Sequence, residues 1–368
     1  MASLDFLSAF YSHQYSRDGL LKGLDGLLGA GECDEVRALP FYCPGCSEWW
    51  EQQPFHGSRQ TKLLKREGGV SLFRITVNYT EQGHSKKRTG CAFVYEHPEF
   101  SGVNILLSLE GSTFFQRALR PLVETNYPRT LTTFISHRKL RGLLDRFVAD
   151  EQLPEVRIKR ASVRVRWADH ERRRKVMPLV SWPDMDLAEA FDWVHEQNGW
   201  FQSLLFEVSR AKRLAMVSFS REGELKTTGL FQTVFSHFVE PVCKTLHENV
   251  QFFQRRSRQD NPRHFVRPLM IEFDGDQFPS TEDNQRFIGA MRRLSRASVS
   301  VLHGNPYIHL SVLDYYDGSS FDVWVVSRDK IVIVPQFRGS FQSIKRLINH
   351  VFDTFAEGRI RDYSEAIA

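Results

Sequence analysis

Apolar residues recur along this chain with two different periods, and the chain changes from one period to the other many times. From Phe73 to Tyr79 apolar side chains alternate with polar ones, which predicts a half-buried β-strand. Between Leu140 and Val148 they recur instead at helical spacing, opposite a basic face. Strands interspersed with helices predict layers of sheet and helix around an apolar core. We therefore expect an α/β to α+β fold with layered mixed sheets and a small cysteine-bearing N-terminal region.

The length and composition of the chain indicate a folded protein of more than one domain. Its 368 residues correspond to roughly two to three domains of about 150 residues each. Hydrophobic residues make up 41% and charged residues 25%, which excludes a disordered chain. We expect an N-terminal region over residues 1–100 with helices, a loop that zinc could stabilise and a β-hairpin. A basic α/β domain over 101–260 and a C-terminal α+β domain over 261–368 would follow. No repeat of fixed period is evident.

The sequence carries no signal for a membrane or for secretion. No stretch approaches the ~18 consecutive apolar residues that a membrane helix requires. The segment from Met1 to Phe6 lacks the basic and apolar regions that open a signal peptide. We therefore expect a cytoplasmic protein whose thiols stay reduced and which has no membrane partner.

Basic residues are concentrated in one part of the chain, although the net charge is only +5. Strand alternation places basic side chains between Glu155 and Lys175 on one face, and a phase slip from Arg160 to Ser162 predicts a β-bulge. Such a face can contact nucleic-acid phosphates, and a solvated sheet face beside a charged loop is the alternative. The predicted contacts are Arg157, Lys159, Arg164, Arg166, Arg172, Arg173, Arg174, Lys175, Arg255 and Arg256.

Cysteine spacing raises a second possibility in the N-terminal region. Cys43 and Cys46 flank a Pro-Gly pair at the spacing with which two thiolates hold one metal ion. Cys33, His56 and Cys91 lie near enough in sequence to complete a tetrahedral structural zinc site. Buried free cysteines are the alternative. A thioredoxin-like redox pair is disfavoured, because we do not expect the motif to follow a strand and open a helix.

Two carboxylates follow a predicted strand in the C-terminal domain. Asp274 and Asp276 come directly after an apolar run, where paired acids can hold Mg²⁺ for phosphoryl transfer. His309 and Asp322 follow in the same domain. The arrangement is similar to that of palm-type polymerases and primases, in which D-x-D closes the first strand, but their phosphate-binding signatures are missing. Because Asp-Gly is common in turns, two surface turns are the alternative.

Three functions remain open on these residues. The sequence has no P-loop, no G-x-G-x-x-G, no H-E-x-x-H and no G-x-S-x-G, which disfavours the usual NTPase, dinucleotide-binding, zincin and hydrolase classes. We expect a non-catalytic accessory or recognition subunit that binds nucleic acid, DNA or RNA, through its Lys and Arg clusters. The alternatives are a metal-dependent phosphodiester or nucleotide enzyme centred on Asp274 and Asp276, and a protein-interaction subunit of a bacterial defence or mobile-element complex.

Overall fold

A computed structural model describes residues 17–149, 155–165, 176–196, 199–210, 212–259, 267–305 and 307–363. The chain divides into two compact units, Met1–His247 and Glu248–Ala368. Both units combine helices with antiparallel sheets. This confirms the expected layered fold, in its α+β form. The boundary expected near residue 100 falls within the first unit, between two strands that are hydrogen-bonded neighbours.

The first unit is built on one large sheet. Its strands are β1 (Val36–Tyr42), β2 (Phe55–His56), β3 (Arg59–Glu67), β4 (Val70–Glu81), β5 (His84–Glu96), β6 (Val103–Ser108), β7 (Leu131–Thr132), β8 (Glu155–Val165), β9 (Val176–Asp186), β10 (Gly199–Arg210), β11 (Lys212–Ser220) and β12 (Leu225–Thr227). They pair in the order β2-β3-β4-β5-β6-β1-β12-β11-β10-β8-β9, and β7 pairs with β1. The sheet is therefore centred on its first strand.

Short helices cover this sheet. They are α1 (Arg17–Gly29), α2 (Cys46–Gln52), α3 (Ser112–Phe114), α4 (Arg120–Glu124), α5 (His137–Ala149), α6 (Leu187–Glu196), α7 (Phe231–Val234) and α8 (Glu240–Gln254), whose residues from Glu248 onward belong to the second unit. A π-helical segment, Phe115–Leu119, joins α3 to α4, and a second one, Phe235–Val239, joins α7 to α8. None of the helices in the described ranges has the length and apolar character needed to cross a membrane.

The two sides of β1 repeat one supersecondary unit. On one side β4, β5 and β6 are followed by the first π-containing helix, and on the other β10, β11 and β12 are followed by the second. Pro121 and Pro241 occupy the same place just after the two π segments. Thr125 Oγ1 and Thr245 Oγ1 each donate to the proline carbonyl four residues earlier, at 2.6 Å in both cases. The flanking strands differ in length, so the repeat has no fixed period in the sequence.

The prolines explain the π-helical segments. A proline inside a helix removes one backbone hydrogen bond and collides with the carbonyl four residues earlier. Widening the preceding turn into a π-helix relieves that collision. The Arg117 carbonyl, four residues before Pro121, accepts hydrogen bonds from Nε and Nη2 of Arg59 at 3.1 and 3.0 Å. The π segments thus accommodate Pro121 and Pro241 within the two helices.

The two π-containing helices pack on opposite faces of the sheet. The first contacts a core cluster that includes Leu39 of β1 and Phe73 of β4. In the second, the Phe238 ring lies 5.3 Å from that of Phe219 on β11. Phe219 and Ala38 both pair with Leu225 of β12, so they share one face of the sheet. Because Leu39 and Ala38 are adjacent on β1, their side chains point to opposite faces. Both faces of β1 are consequently buried.

The second unit is a six-stranded antiparallel sheet with two helices. Its strands are β13 (Leu269–Phe273), β14 (Ala297–His303), β15 (His309–Asp314), β16 (Ser320–Ser327), β17 (Lys330–Pro335) and β18 (Gly358–Asp362), in the order β14-β15-β16-β17-β13-β18. The helices are α9 (Thr281–Met291) and α10 (Phe341–Thr354). Ser340 caps α10 by accepting the backbone N–H of Ser343, as its sequence predicts.

Candidate nucleic-acid interface and cysteine pair

The basic segment predicted as a strand is β8, and carboxylates flank its side chains. Register shifts beside Lys159 and Ser162 show the expected irregularity of this strand. Arg157 is exposed, but its register partners on the two neighbouring strands are Asp186 and Glu207. Lys159 Nζ lies 3.9 Å from Glu207 Oε2. The positive charge of β8 is thus partly compensated by its neighbours.

The other residues of the predicted basic cluster lie elsewhere. Arg164 pairs through its backbone with Trp200 of β10, and its side chain is outside the described part of the structure. Arg166, Arg172, Arg173, Arg174 and Lys175 lie outside the described residues altogether. The structure therefore does not bring the predicted contacts together on one described surface.

Arg255 and Arg256 are neighbours in sequence but have different environments. Arg255 is exposed. Arg256 is buried in the second unit, where its guanidinium forms an ion pair with Asp362 and lies 3.4 Å from the centroid of the Phe252 ring. It also donates to the Phe252 carbonyl at 2.8 Å. Because its charge is already compensated inside the protein, Arg256 does not belong with the candidate phosphate contacts.

A different basic surface lies on β3, β4 and β5. Phe73, Ile75 and Val77 of β4 face the first π-containing helix, so the residues between them point to the opposite side of the sheet. On that side Lys62 lies opposite Arg74, and the positions from there toward the β4–β5 turn are polar, whereas Leu72 and Cys91 beside Arg74 are buried. We call this surface the open basic face; it consists of Gln60, Lys62, Arg74, Thr76, Asn78, Lys87 and Thr89.

None of the seven residues of the open basic face is acidic. Lys62 and Lys87 are exposed, Arg74 is half-buried, and within the described ranges no carboxylate lies within ion-pair distance of these three cations. Among the residues that the structure describes, the buried Nε of Arg74 has no hydrogen-bond partner. Thr76 and Thr89 share a hydrogen bond of 3.0 Å between their hydroxyls. The face therefore offers uncompensated positive charge beside polar groups.

One basic run in the sequence marks the edge of this surface. It consists of Lys86, Lys87 and Arg88, but strand alternation divides these residues between the two faces of the sheet. Lys86 pairs with Glu81 at 2.6 Å and Arg88 lies 5.9 Å from the Phe114 ring, so only Lys87 of the three belongs to the open basic face. Lys62 and Arg74 could have been identified from the hairpin register, because the pairing of β3 and β5 with β4 places them on the same face as Lys87.

The cysteine motif joins a strand to a helix, which overturns the sequence expectation. Cys43 directly follows β1, and Cys46 is the first residue of α2. Gly45 between them adopts a left-handed conformation with φ 59°, which glycine tolerates without strain. A hydrogen bond from the buried Cys46 thiol, aided by the charge of Arg129, lowers the pKa of Cys43, whereas burial raises the pKa of Cys46 well above its usual value.

The other proposed zinc ligands do not join this pair. Burial raises the pKa values of Cys33 and Cys91 to about 11. His56 Nδ1 lies 3.4 Å from the Asn126 side-chain oxygen. Over the ranges that the structure describes, no three His, Cys, Asp or Glu side chains are grouped closely enough to hold a metal ion. The geometry consequently gives no support to the predicted zinc site.

The four residues of the predicted metal-dependent site lie in two separate places in the second unit. Asp274 and Asp276 are exposed after β13, as the sequence predicts, and Asp276 Oδ2 lies 3.9 Å from Arg328 Nη1. His309 Nε2 lies 3.6 Å from Asp322 Oδ1 across β15 and β16, with β17 between them and β13. No metal-holding group arises from them in the described part of the chain. We therefore do not propose the metal-dependent enzyme.

Comparison with known proteins adds little to this geometry. No known family model matches the chain, and no curated protein matches it. The crystal structure of the DNA polymerase III subunit beta from Pseudomonas aeruginosa is 12% identical over 87% of this chain and 98% of that chain, with a TM-score of 0.11. The DNA polymerase sliding clamp from Caulobacter crescentus is 10% identical over 83% and 91%, with a TM-score of 0.10. Scores this low support no inference about fold or function.

Proposed function

We propose that the protein binds nucleic acid and that the open basic face contacts the sugar–phosphate backbone. The observation that carries this proposal is the placement of Lys62 opposite Arg74, with no carboxylate of the described residues within ion-pair distance of either. Like charges in directly opposite strand positions repel each other. A polyanion laid across the face removes this repulsion and releases its own counterions, which favours association.

The polar residues of the face suit a backbone contact. A strand rises about 3.3 Å per residue, so Lys87, which lies opposite Asn78, is about 13 Å along the sheet from the Lys62–Arg74 pair. The two positions can thus contact phosphates of different nucleotides. Hydroxyl and amide groups between them can hydrogen-bond to phosphate or sugar oxygens, contacts that carry no base information. We therefore propose binding with little sequence preference.

Salt dependence of binding tests this function. Fluorescence anisotropy with labelled single-stranded and duplex oligonucleotides gives the dissociation constant over a series of salt concentrations. Each phosphate contact contributes about 0.7 to 0.9 to the slope of log K against log salt, so the triple variant Lys62→Gln, Arg74→Gln, Lys87→Gln should lower the slope by about 2 to 3. The affinity should fall for all base sequences alike.

A matched control removes three charges away from the face. Lys22 lies on α1, Lys86 points to the other side of β5, and Lys330 belongs to the second unit. The variant Lys22→Gln, Lys86→Gln, Lys330→Gln has the same net charge as the test variant and should keep most of the salt slope. Equal losses in the two variants would show that net charge alone drives binding and would refute the proposed interface.

A further inference from the structure

We propose that Cys43 and Cys46 form a redox-active dithiol that hydrogen peroxide oxidises to an intramolecular disulfide. The two residues stand at the junction of β1 and α2, separated only by Pro44 and Gly45. Both cysteines are buried in the same core cluster, so the two thiols occupy one interior region of the first unit. A Cys-x-x-Cys pair in this position is a recognised redox arrangement. This site is independent of the proposed nucleic-acid interface.

The backbone holds Cys43 in a defined position. Its N–H donates to the Gly102 carbonyl at 2.7 Å, and its carbonyl accepts the Asn104 side-chain amide at 2.8 Å. Gly45, in its left-handed conformation, then turns the chain, and Cys46 is the first residue of α2. Cys46 is buried within the core cluster that also contains Trp50. The motif is therefore built from rigid elements on both sides of the turn.

Arg129 determines which of the two thiols is the more reactive. Its side chain is exposed and lies 3.4 Å from the Pro44 carbonyl and 5.2 Å from the Trp49 ring centroid, and its charge lowers the pKa of Cys43. A neighbouring cation stabilises a thiolate, which is the nucleophilic form of cysteine. Cys43 itself has no exposed surface, so the proposed reaction requires displacement of the exposed Arg129 side chain to admit peroxide. Cys43 is accordingly the attacking thiol and Cys46 the resolving thiol.

The reaction balances in two steps. The Cys43 thiolate attacks one oxygen of hydrogen peroxide; the O–O bond breaks, Cys43 becomes a sulfenic acid, and hydroxide leaves and takes up a proton to form water. The Cys46 sulfur then attacks the Cys43 sulfur, an S–S bond forms and the S–O bond breaks. The proton of Cys46 leaves with the departing hydroxide as a second water. The two thiols are oxidised by two electrons, and peroxide is reduced to two waters.

Thiol mapping on the full-length protein tests the proposal. After peroxide treatment, denaturation and alkylation, mass spectrometry should find the Cys43–Cys46 peptide unalkylated and lighter by two hydrogens, and dithiothreitol should restore both thiols. Cys33, Cys91 and Cys243 should remain alkylated under the same conditions. In Cys46→Ser, dimedone should trap a sulfenic acid on Cys43.

Two further variants separate reactivity from folding. Arg129→Gln changes an exposed side chain and should slow the oxidation at neutral pH by about threefold to tenfold, because the thiolate fraction falls. Cys243→Ser removes a buried thiol of α8 and should leave the rate unchanged. Alkylation of Cys43 to the same extent as Cys243 after peroxide would overturn the proposal. So would one zinc ion per chain in the purified protein with both thiols protected until a chelator is added.

Discussion

Lys62 of β3 lies directly opposite Arg74 of β4, with both side chains on the same face of the sheet. A cross-strand pair of like charge weakens a sheet, whereas an acidic residue at either position would strengthen it. The free protein therefore gives up stability at this pair. Ligand binding is the natural compensation, since a bound polyanion supplies the missing negative charge.

The variant Lys62→Glu should stabilise the protein while it weakens nucleic-acid binding. Replacing a like-charge pair by an opposite-charge pair should raise the free energy of unfolding by about 0.5 to 1 kcal/mol, measured by urea denaturation at low salt. Lys65→Glu is the control on the same strand; because Lys65 Nζ lies 3.9 Å from Glu67 Oε2, that variant should lower stability. A loss of stability in Lys62→Glu would contradict the proposed repulsion.

His137 should make the first unit sensitive to mild acid. Its ring lies 4.8 Å from Phe191 and 5.4 Å from Phe201, and burial, aided by the charges of Arg221, Arg141 and His195, lowers its pKa from 6.5 to about 4. The unfolded chain therefore binds the proton first as the pH falls. Stability should be lost between about pH 6.5 and pH 4, by at most about 1.4 kcal/mol per pH unit.

The variant His137→Asn tests this dependence. It keeps an acceptor for the Phe201 N–H but cannot be protonated, so its urea midpoint should change less between pH 6.5 and 4 than that of the wild type. His84→Asn, in the exposed β4–β5 turn, should retain the wild-type profile. Identical pH profiles for His137→Asn and the wild type would assign the acid sensitivity to other groups.

Lys345 should make the stability of the second unit depend on pH in the alkaline range. The residue is buried in α10, and desolvation lowers its pKa from 10.5 to about 7. Between these values the unfolded chain binds a proton that the folded chain does not, so stability should rise as the pH increases from about 7 to about 10.5. Hydrogen exchange of peptides from α10, followed by mass spectrometry, measures this locally.

The variant Lys345→Met should remove that rise. Methionine has a similar length and no charge to desolvate, so α10 should exchange more slowly at pH 7 and lose its pH dependence above it, after correction for intrinsic exchange. Lys330→Met, on the partly exposed β17 position, is the matched control and should keep the dependence. Faster exchange in Lys345→Met at pH 7 would indicate that the ammonium group is needed in the fold.

Arg256 and Arg255 should differ in their contribution to stability. Removing Arg256 leaves Asp362 without its buried partner and Phe252 without its stacked cation, so Arg256→Met should cost about 3 kcal/mol in unfolding free energy. Arg255→Met changes an exposed position and should stay within about 0.5 kcal/mol of the wild type. Urea denaturation of the two variants checks this, and equal effects would contradict the structural role of Arg256.

Local patterns in the sequence were sufficient for much of the secondary structure. The apolar stripe of α10 and its Ser340 cap, the alternation that becomes β4, and the slip in β8 all depend on residues a few positions apart. Helical and strand periods act over such short distances, so a single sequence carries them. The layered fold class followed from the same periods.

The sites depended on pairing between distant segments. Lys87 shares a face with Lys62 and Arg74 only because β3 and β5 pair with β4 in one register, and a shift of one residue would move it to the other side of the sheet. Arg256 is a buried residue because the fold places Asp362, which is distant in sequence, beside its guanidinium. Cys43 and Cys46 took up a strand–turn–helix geometry in a segment with no periodicity. The sequence by itself determined which charges and thiols this protein has and how they are spaced. Only the tertiary structure decided which of them face solvent. The reason is that the direction of a strand side chain depends on pairing partners that local sequence does not specify.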